Sequence, residues 1–429
     1  MNPNFDGSLL KDLEARYMRE KVPINVSFRN LVGHVKGGER YAHYIHSYPA
    51  KLLPHIPIFF LESLNAEGRG GIVLDPFCGS GTVGLEAIIH GRKAVLYDTN
   101  PLACLISKVK TKTINELGIQ NDLEKIMSNA WQVKASRDER PNVVNRDYWF
   151  QESVQNGLMS IRKSISDAGE DNKDFFWMCF SSCCHKVSNT DKRLSVPVKP
   201  RVPPKAIPKK QVIELFSEIC TQNIKRMLTV GEVQALGECH VYNQDSRRNN
   251  PDVLDGSVDV VITSPPYAGA QKYIRSSSLS LGWLGMAGSG ELRPLEKKTV
   301  GREHLIISDR TMDGVPEVDG LIDNINEIFK SNAERAYIIS CYMKDMNESL
   351  AEMFRVLKRG GDLILIMGDN TVVGKPFSTA KYVVRIAEKV GFVVRLFTSD
   401  RIVSRSLMTK RNGSVEAIAH EHVIWMKKI

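Results

Sequence analysis

One stretch constrains the fold more than any other: GIVLDPFCGSGTVGLEAIIHGRKAVLYDTN, residues 71–100. Ile72 to Leu74 read as a short buried strand. Asp75 to Gly81 are too rich in glycine for either regular element and read as a turn. Thr82 to His90 place Val83, Leu85, Ala87 and Ile88 as the apolar part of a helix, and Gly91 stops it. Ala94 to Tyr97 form the next strand, which ends at Asp98. A strand, a helix and a second strand in that order predict a parallel pair joined by a right-handed crossover.

The alternation returns late in the chain. CHVYN (239–243) predicts a strand ending near Asp245, and SVDVVIT (257–263) predicts a buried one. In KDMNESLAEMFRVLKRGG (344–361), Met346, Leu350, Met353, Phe354 and Leu357 share one helical face, with Gly360 and Gly361 as the stop. DLILIM (362–367) predicts an apolar strand and TAKYVVRIAEKVGF (379–392) a helix ending at Gly391. VVRLFT (393–398) and HVIWMK (422–427) predict a closing antiparallel pair. Strands interleaved with helices give an α/β doubly wound sheet with helices on both faces.

Between the two halves the rhythm is lost. Residues 104–238 carry the aromatic runs DYWFQ (147–151) and DFFWMCF (174–180), which suggest a large inserted, mainly helical region. Within it, SVPVKPRVPPKAIPKK (195–210) interleaves Lys199, Arg201, Lys205, Lys209 and Lys210 with five prolines. Its proline-rich part, 197–208, excludes helix and central strand. It reads either as a solvated linker or as an arm that contacts phosphates.

Charge and cysteine usage narrow the setting. With 58 Lys and Arg against 49 Asp and Glu, the net charge is +9, which favours a polyanionic partner. No apolar run approaches the ~20 residues of a membrane-spanning helix. The polar, charged start is unlike a secretory signal. None of the 8 cysteines forms a Cys-x-x-Cys pair, so no metal site is expected and a reducing cytoplasm is the simple setting.

The turn at 75–82 points to a particular ligand. Glycines there let backbone N–H groups come close to a small molecule. Yet Asp75 opens the loop and the third glycine of the dinucleotide fingerprint is missing. A carboxylate at the mouth repels phosphate and suits a cationic or amine-bearing ligand. Asp98, 23 residues on, stands where such units hold the two hydroxyls of a ribose. A nucleoside carrying an amine and no pyrophosphate satisfies both acids. S-adenosylmethionine fits that description and NAD does not.

A second constellation, Thr263-Ser264-Pro265-Pro266-Tyr267, follows the strand 257–263. Two prolines fix the backbone and remove two donors, leaving a carbonyl pointing outward. A hydroxyl before them and an aromatic after them make a clamp for a planar group with an exocyclic amine. In this fold the carboxyl end of a central strand faces the ligand crevice.

Together DPFCGSGT and TSPPY resemble the DNA amino-methyltransferases, which methylate cytosine N4 or adenine N6. The resemblance covers about 40–100 and 239–429. It implies a class I, Rossmann-like methyltransferase core from 1–103 and 239–429, with 104–238 as the candidate target-recognition domain. It further implies that Asp75, Phe77, Gly79 and Gly81 form the S-adenosylmethionine loop. Asp98 would take the ribose, with Asn100 beside it, and Asp245 the adenine amino group. Tyr48-Pro49-Ala50-Lys51 resembles the segment that closes over the methionine end. Ser264 and the carbonyl of Pro265 would accept from the target amine, beside Pro266, and Tyr267 would stack on the base.

The implied reaction is direct transfer to an amine of a base flipped out of double-stranded DNA. Carbon-5 methylation needs a thiolate on a Pro-Cys pair, which this chain lacks. Serine before Pro-Pro-Tyr leans towards cytosine N4. Adenine N6, an RNA base, and a catalytically silent DNA-binding protein remain the alternatives. A place in a restriction–modification system would bring a cognate endonuclease acting on the same site.

Overall fold

The structure is a computed structural model that describes residues 7–33, 35, 41–64, 71–133, 138–233, 236–268, 272–401 and 420–429. Its strands are β1 (Ile24–Val26), β2 (Ile72–Asp75), β3 (Lys93–Tyr97), β4 (Cys239–Tyr242) and β5 (Val258–Thr263). They continue with β6 (Leu357–Met367), β7 (Asn370–Val372), β8 (Lys375–Phe377), β9 (Phe392–Arg401) and β10 (His420–Lys428). Eight of them form one sheet in the order β1-β9-β10-β6-β5-β2-β3-β4. β7 and β8 form a small hairpin apart.

The order defines where a ligand belongs. From β2 the chain steps outward through β3 to β4, then returns to lay β5 on the other side of β2, followed by β6. These five strands are parallel. The reversal between β2 and β5 opens a crevice at their carboxyl ends. β10 runs antiparallel to both β6 and β9, so it slots between them. A parallel sheet with that one reversed strand near its edge is the class I methyltransferase sheet that the motifs implied.

Period-2 alternation divides the core. Val73, Ile262, Ile364 and Ile366 pack on one face of the sheet. Leu74, Val261, Leu363 and Leu365 pack on the other. The first face carries the helix Thr82–Ile89 and the inserted region; the second carries the helices Ala333–Val356 and Thr379–Val390.

The late helix differs from the sequence reading. It starts at Ala333 and ends at Val356, not at the glycines. Leu357 already belongs to β6, where it pairs with Val258. Lys358 to Gly361 form an irregularity inside the strand, and Gly360 has a positive φ of 76°. Leu357 fits a helical face by spacing, but its burial is delivered by the strand.

Residues 104–238 are mainly helical, as expected. The helices Glu116–Gln132, Glu152–Ile165, Glu170–Val187 and Lys209–Gly231 pack together. The helix Pro101–Lys110 joins them to the sheet, packing on Glu170–Val187 and on β3 and β4. Against both Pro101–Lys110 and Glu170–Val187 packs the helix Tyr273–Leu284. Trp283 on that helix is fully buried, with Phe150 at 5.5 Å and Phe180 at 6.4 Å, both edge-on. Trp283→Ala should destabilise the protein by about 3–5 kcal/mol. Denaturant unfolding checks this, and a loss under ~1 kcal/mol would show that this packing does not rest on this side chain.

Candidate functional site

The crevice at the switch point is a cavity of about 780 Å³. Its wall includes Asp75, Phe77, Cys78, Gly79, Asp98 and Asn100 from the first unit, and Ser264 and Pro266 from the second. Tyr48, Pro49 and Lys51 close one side, Gln244 and Ser246 another. The two motifs therefore meet in one place.

The loop after β2 is built by its own hydrogen bonds. The Gly79 amide donates to Asp98 at 2.9 Å, and the Asn100 amide donates to the other oxygen at 2.8 Å. The Ser107 hydroxyl donates to the Gly79 carbonyl at 3.1 Å. Gly79 and Gly81 have φ of 49° and 72°, which favours glycine. At Gly81 a Cβ would also stand 3.0 Å from the Ser107 Cα. The loop is thus pressed onto the helix Pro101–Lys110 and held by the acid at the end of β3.

Asp75 links the two motifs. Its carboxylate accepts from the Thr263 hydroxyl of β5 at 2.6 Å and from the Phe77 amide at 3.1 Å. Burial pushes Asp75 up to about 7, with the Asp98 charge adding to it. Burial likewise pushes Asp98 up to about 6. These are acids in want of a cation. A sulfonium amino acid brings positive charge and no phosphate, so the residues fit that kind of nucleoside.

Other residues brace the wall. Asn100 caps its helix through Leu102 and donates to the Tyr48 hydroxyl at 3.1 Å and to Ser277 at 3.0 Å. Tyr48 stacks on Tyr273, with ring centroids 6.3 Å apart. The Lys51 ammonium donates to the carbonyls of His43 and His46, and burial pulls it down to about 8. Cys78 reaches the cavity, but burial pushes its thiol well up, so it is no thiolate nucleophile.

Some expected residues stand elsewhere. Asp245 does not line the cavity; its carboxylate is held by Arg247 through Nε at 2.9 Å and Nη2 at 2.7 Å. Its neighbours Gln244 and Ser246 take the place on the wall. Tyr267 is also off the wall, with its hydroxyl donating to Glu421 of β10 at 3.1 Å. Of the basic arm, Lys199, Arg201 and Lys205 are exposed, and the Lys199 ammonium lies 5.4 Å from the Tyr148 ring centre. Lys209 and Lys210 instead open the helix Lys209–Gly231. Lys209 donates to the Val133 carbonyl at 3.0 Å, and Lys210 pairs with Glu214 at 3.5 Å.

Sequence reasoning passed over Tyr273, Ser107 and the strap Lys298–Val300, all at or behind the wall. They come from helices and a loop with no motif of their own. Thr263 was read as part of the clamp, but not as the partner of Asp75.

The fold is that of the class I methyltransferases. Residues 27–109 match the family described as DNA methylase, the N6 and N4 enzymes. The type II methyltransferase M.MvaI of Kocuria varians is 26% identical over 413 residues, covering 90% of this chain and 89% of that one. M.BsoBI of Geobacillus stearothermophilus, also a type II methyltransferase, is 24% identical over 84% of this chain and 80% of its own. Among solved structures, a putative DNA modification methylase from Thermus thermophilus, complexed with S-adenosyl-L-methionine, is 16% identical, with a TM-score of 0.23. That match covers 43% of this chain and about half, 53%, of that one. These matches support a place for the chain among the DNA amino-methyltransferases.

The raised acids make stability depend on pH. Folded Asp75 and Asp98 keep protons that the unfolded chain, at an ordinary 3.8, has lost. Their contribution is present below that value and is lost as pH rises through about 6 to about 7. Without ligand, the double variant Asp75→Asn, Asp98→Asn should lose less melting temperature than wild type between about pH 5 and about pH 8. Equal losses would mean that the two acids are ionised throughout.

Proposed function

We propose that the protein methylates the exocyclic amine of one base within a specific double-stranded DNA sequence, with cytosine N4 as the target. S-adenosylmethionine bound in the crevice would supply the methyl group from its sulfonium and leave as the neutral thioether, S-adenosylhomocysteine, while the methylated nitrogen loses one proton to solvent. The observation that carries this reading is the meeting of the acidic loop and the Ser264–Pro266 turn on one cavity wall.

In this reading Asp98 holds the ribose hydroxyls, and Asp75 and Asp98 give the crevice the negative charge that a cationic ligand needs. Tyr48 and Pro49 close over the far end. Gln244 and Ser246 stand where the adenine edge would lie, and Asp245 shapes that loop through Arg247. Ser264 and the Pro265 carbonyl accept the two hydrogens of the target amine. That pulls electron density back onto a nitrogen otherwise conjugated with its ring. The Thr263–Asp75 bond fixes the distance between the two halves. Tyr267, anchored on Glu421, supports the turn and offers its ring to the base.

A base stacked in a duplex cannot enter a crevice at the carboxyl ends of central strands, so in this reading the base leaves the duplex to reach it. Residues 104–238 act as the recognition domain, joined to the crevice through the helix Tyr273–Leu284. The type II relatives support a place in a restriction–modification system, with an endonuclease of the same specificity as partner. No helix among the described residues is long and apolar enough to cross a membrane.

Two variants separate binding from chemistry. Asp98→Ala should weaken S-adenosylmethionine binding by about 10–100-fold in calorimetry. Ser264→Ala should leave that affinity unchanged and lower turnover on the order of 10²-fold. Wild-type turnover in Ser264→Ala would remove the clamp from the mechanism, and unchanged affinity in Asp98→Ala would remove the ribose contact.

A further inference from the structure

A second cleft, of about 1240 Å³, adjoins the first and shares Tyr273, Ile274 and Thr299 with it. Its floor is the segment 272–304. Its opposite wall comes from the inserted region, through Trp149 and Pro197.

The charges in it are unequal. Lys272 pairs with Glu303 at 2.7 Å, and His304 with Glu296 at 2.7 Å. Arg302 is held by Asp345 at 2.7 Å and by Asp309 at 3.3 Å. Arg275 is exposed and has no acid partner among the described residues. Arg293 is exposed and only 4.0 Å from Glu296 at its nearest. Two guanidinium groups, one without an acid and one loosely held, can therefore meet an anion. Trp149, partly buried against the core, lines the same cleft, beside the exposed Tyr148 over which Lys199 lies. The proline-rich arm is fastened along this rim: Gln151 accepts from the Ile207 amide at 3.1 Å and donates to the Lys205 carbonyl at 2.8 Å.

Guanidinium groups and an aromatic ring in one cleft form a seat for one unstacked nucleotide: phosphate on the cations, base on the ring. We infer that this cleft holds the nucleotide next to the flipped target on the same strand, with its phosphate on Arg275 and Arg293 and its base against Trp149. The site rests on the reading of the protein as a DNA methyltransferase and extends it to residues that no motif marks. It also gives the inserted region a direct part in substrate binding. The seat is distinct from the Ser264–Pro266 wall, which takes the target base itself.

The test measures methyl incorporation from labelled S-adenosylmethionine into unmethylated plasmid DNA over a range of salt concentrations. Each phosphate contact contributes about 0.7–0.9 to the slope of log affinity against log salt. Arg275→Gln with Arg293→Gln, which removes that one phosphate contact, should make the slope of kcat/KM shallower by about 0.7–0.9, with S-adenosylmethionine affinity unchanged. Arg→Lys at both positions should restore most of it. Trp149→Leu should lower kcat/KM about ten-fold or more, and Trp149→Phe should keep it near wild type. A wild-type slope in the double variant, or equal effects of Leu and Phe at 149, would overturn the inference. Wild-type protein that methylates no DNA would instead overturn the functional reading beneath it.

Discussion

The hydrogen bond from Thr263 to Asp75 is the contact on which the rest of the site depends. It joins the carboxyl ends of β2 and β5 at the point where the strand order reverses. Each strand delivers one motif: the acidic glycine loop from β2 and the Ser-Pro-Pro turn from β5. β2 and β5 already pair through Val73–Val260 and Leu74–Val261, and the tie extends that link past the last paired residues to where the loops begin. At 2.6 Å, in a buried setting, the tie fixes their separation. A methyl transfer in line needs such a fixed geometry, because small misplacements cost rate steeply.

The same acid sets the electrostatic character of the crevice. Asp75 and Asp98 are both buried, and both are harder to ionise than in water. That condition is unfavourable for the empty pocket and favourable for a cationic ligand, which makes up the missing charge. Elsewhere the molecule pairs its charges with care. Asp245, Arg247, Asp345 and Arg302 form one chain of ion pairs, and Arg247 also donates to the Lys298 carbonyl at 3.1 Å. That chain positions the strap Lys298–Val300, which walls the first cavity, and Arg302, which stands in the second.

Much of this was legible in the residues. The unit from Ile72 to Asp98 announced its strands by short apolar runs and its turn by glycine, and the structure places each element within a residue or two. The two motifs were visible because both rely on local backbone chemistry. What escaped was set by distant contacts. Leu357 fits a helical face by spacing, but pairing with Val258 draws it into a strand. Asp245 stands at the right strand end, but Arg247, two residues on, takes its carboxylate. Lys209 and Lys210 belong to a helix rather than to the proline-rich arm before it, because Pro208 is a natural residue just ahead of a helix start. Tyr273 carries no local signal, and Trp149 lies in the aromatic run 147–151, which marks a helical region but not a cleft.

The most direct measurement is mass spectrometry of nucleosides from unmethylated DNA incubated with the protein and S-adenosylmethionine. The account predicts N4-methylcytosine, made by wild-type protein and lost without the cofactor. N6-methyladenine would keep the clamp and its mechanism but contradict the assignment of the base. DNA that remains unmethylated across varied sequences would contradict the account at its centre.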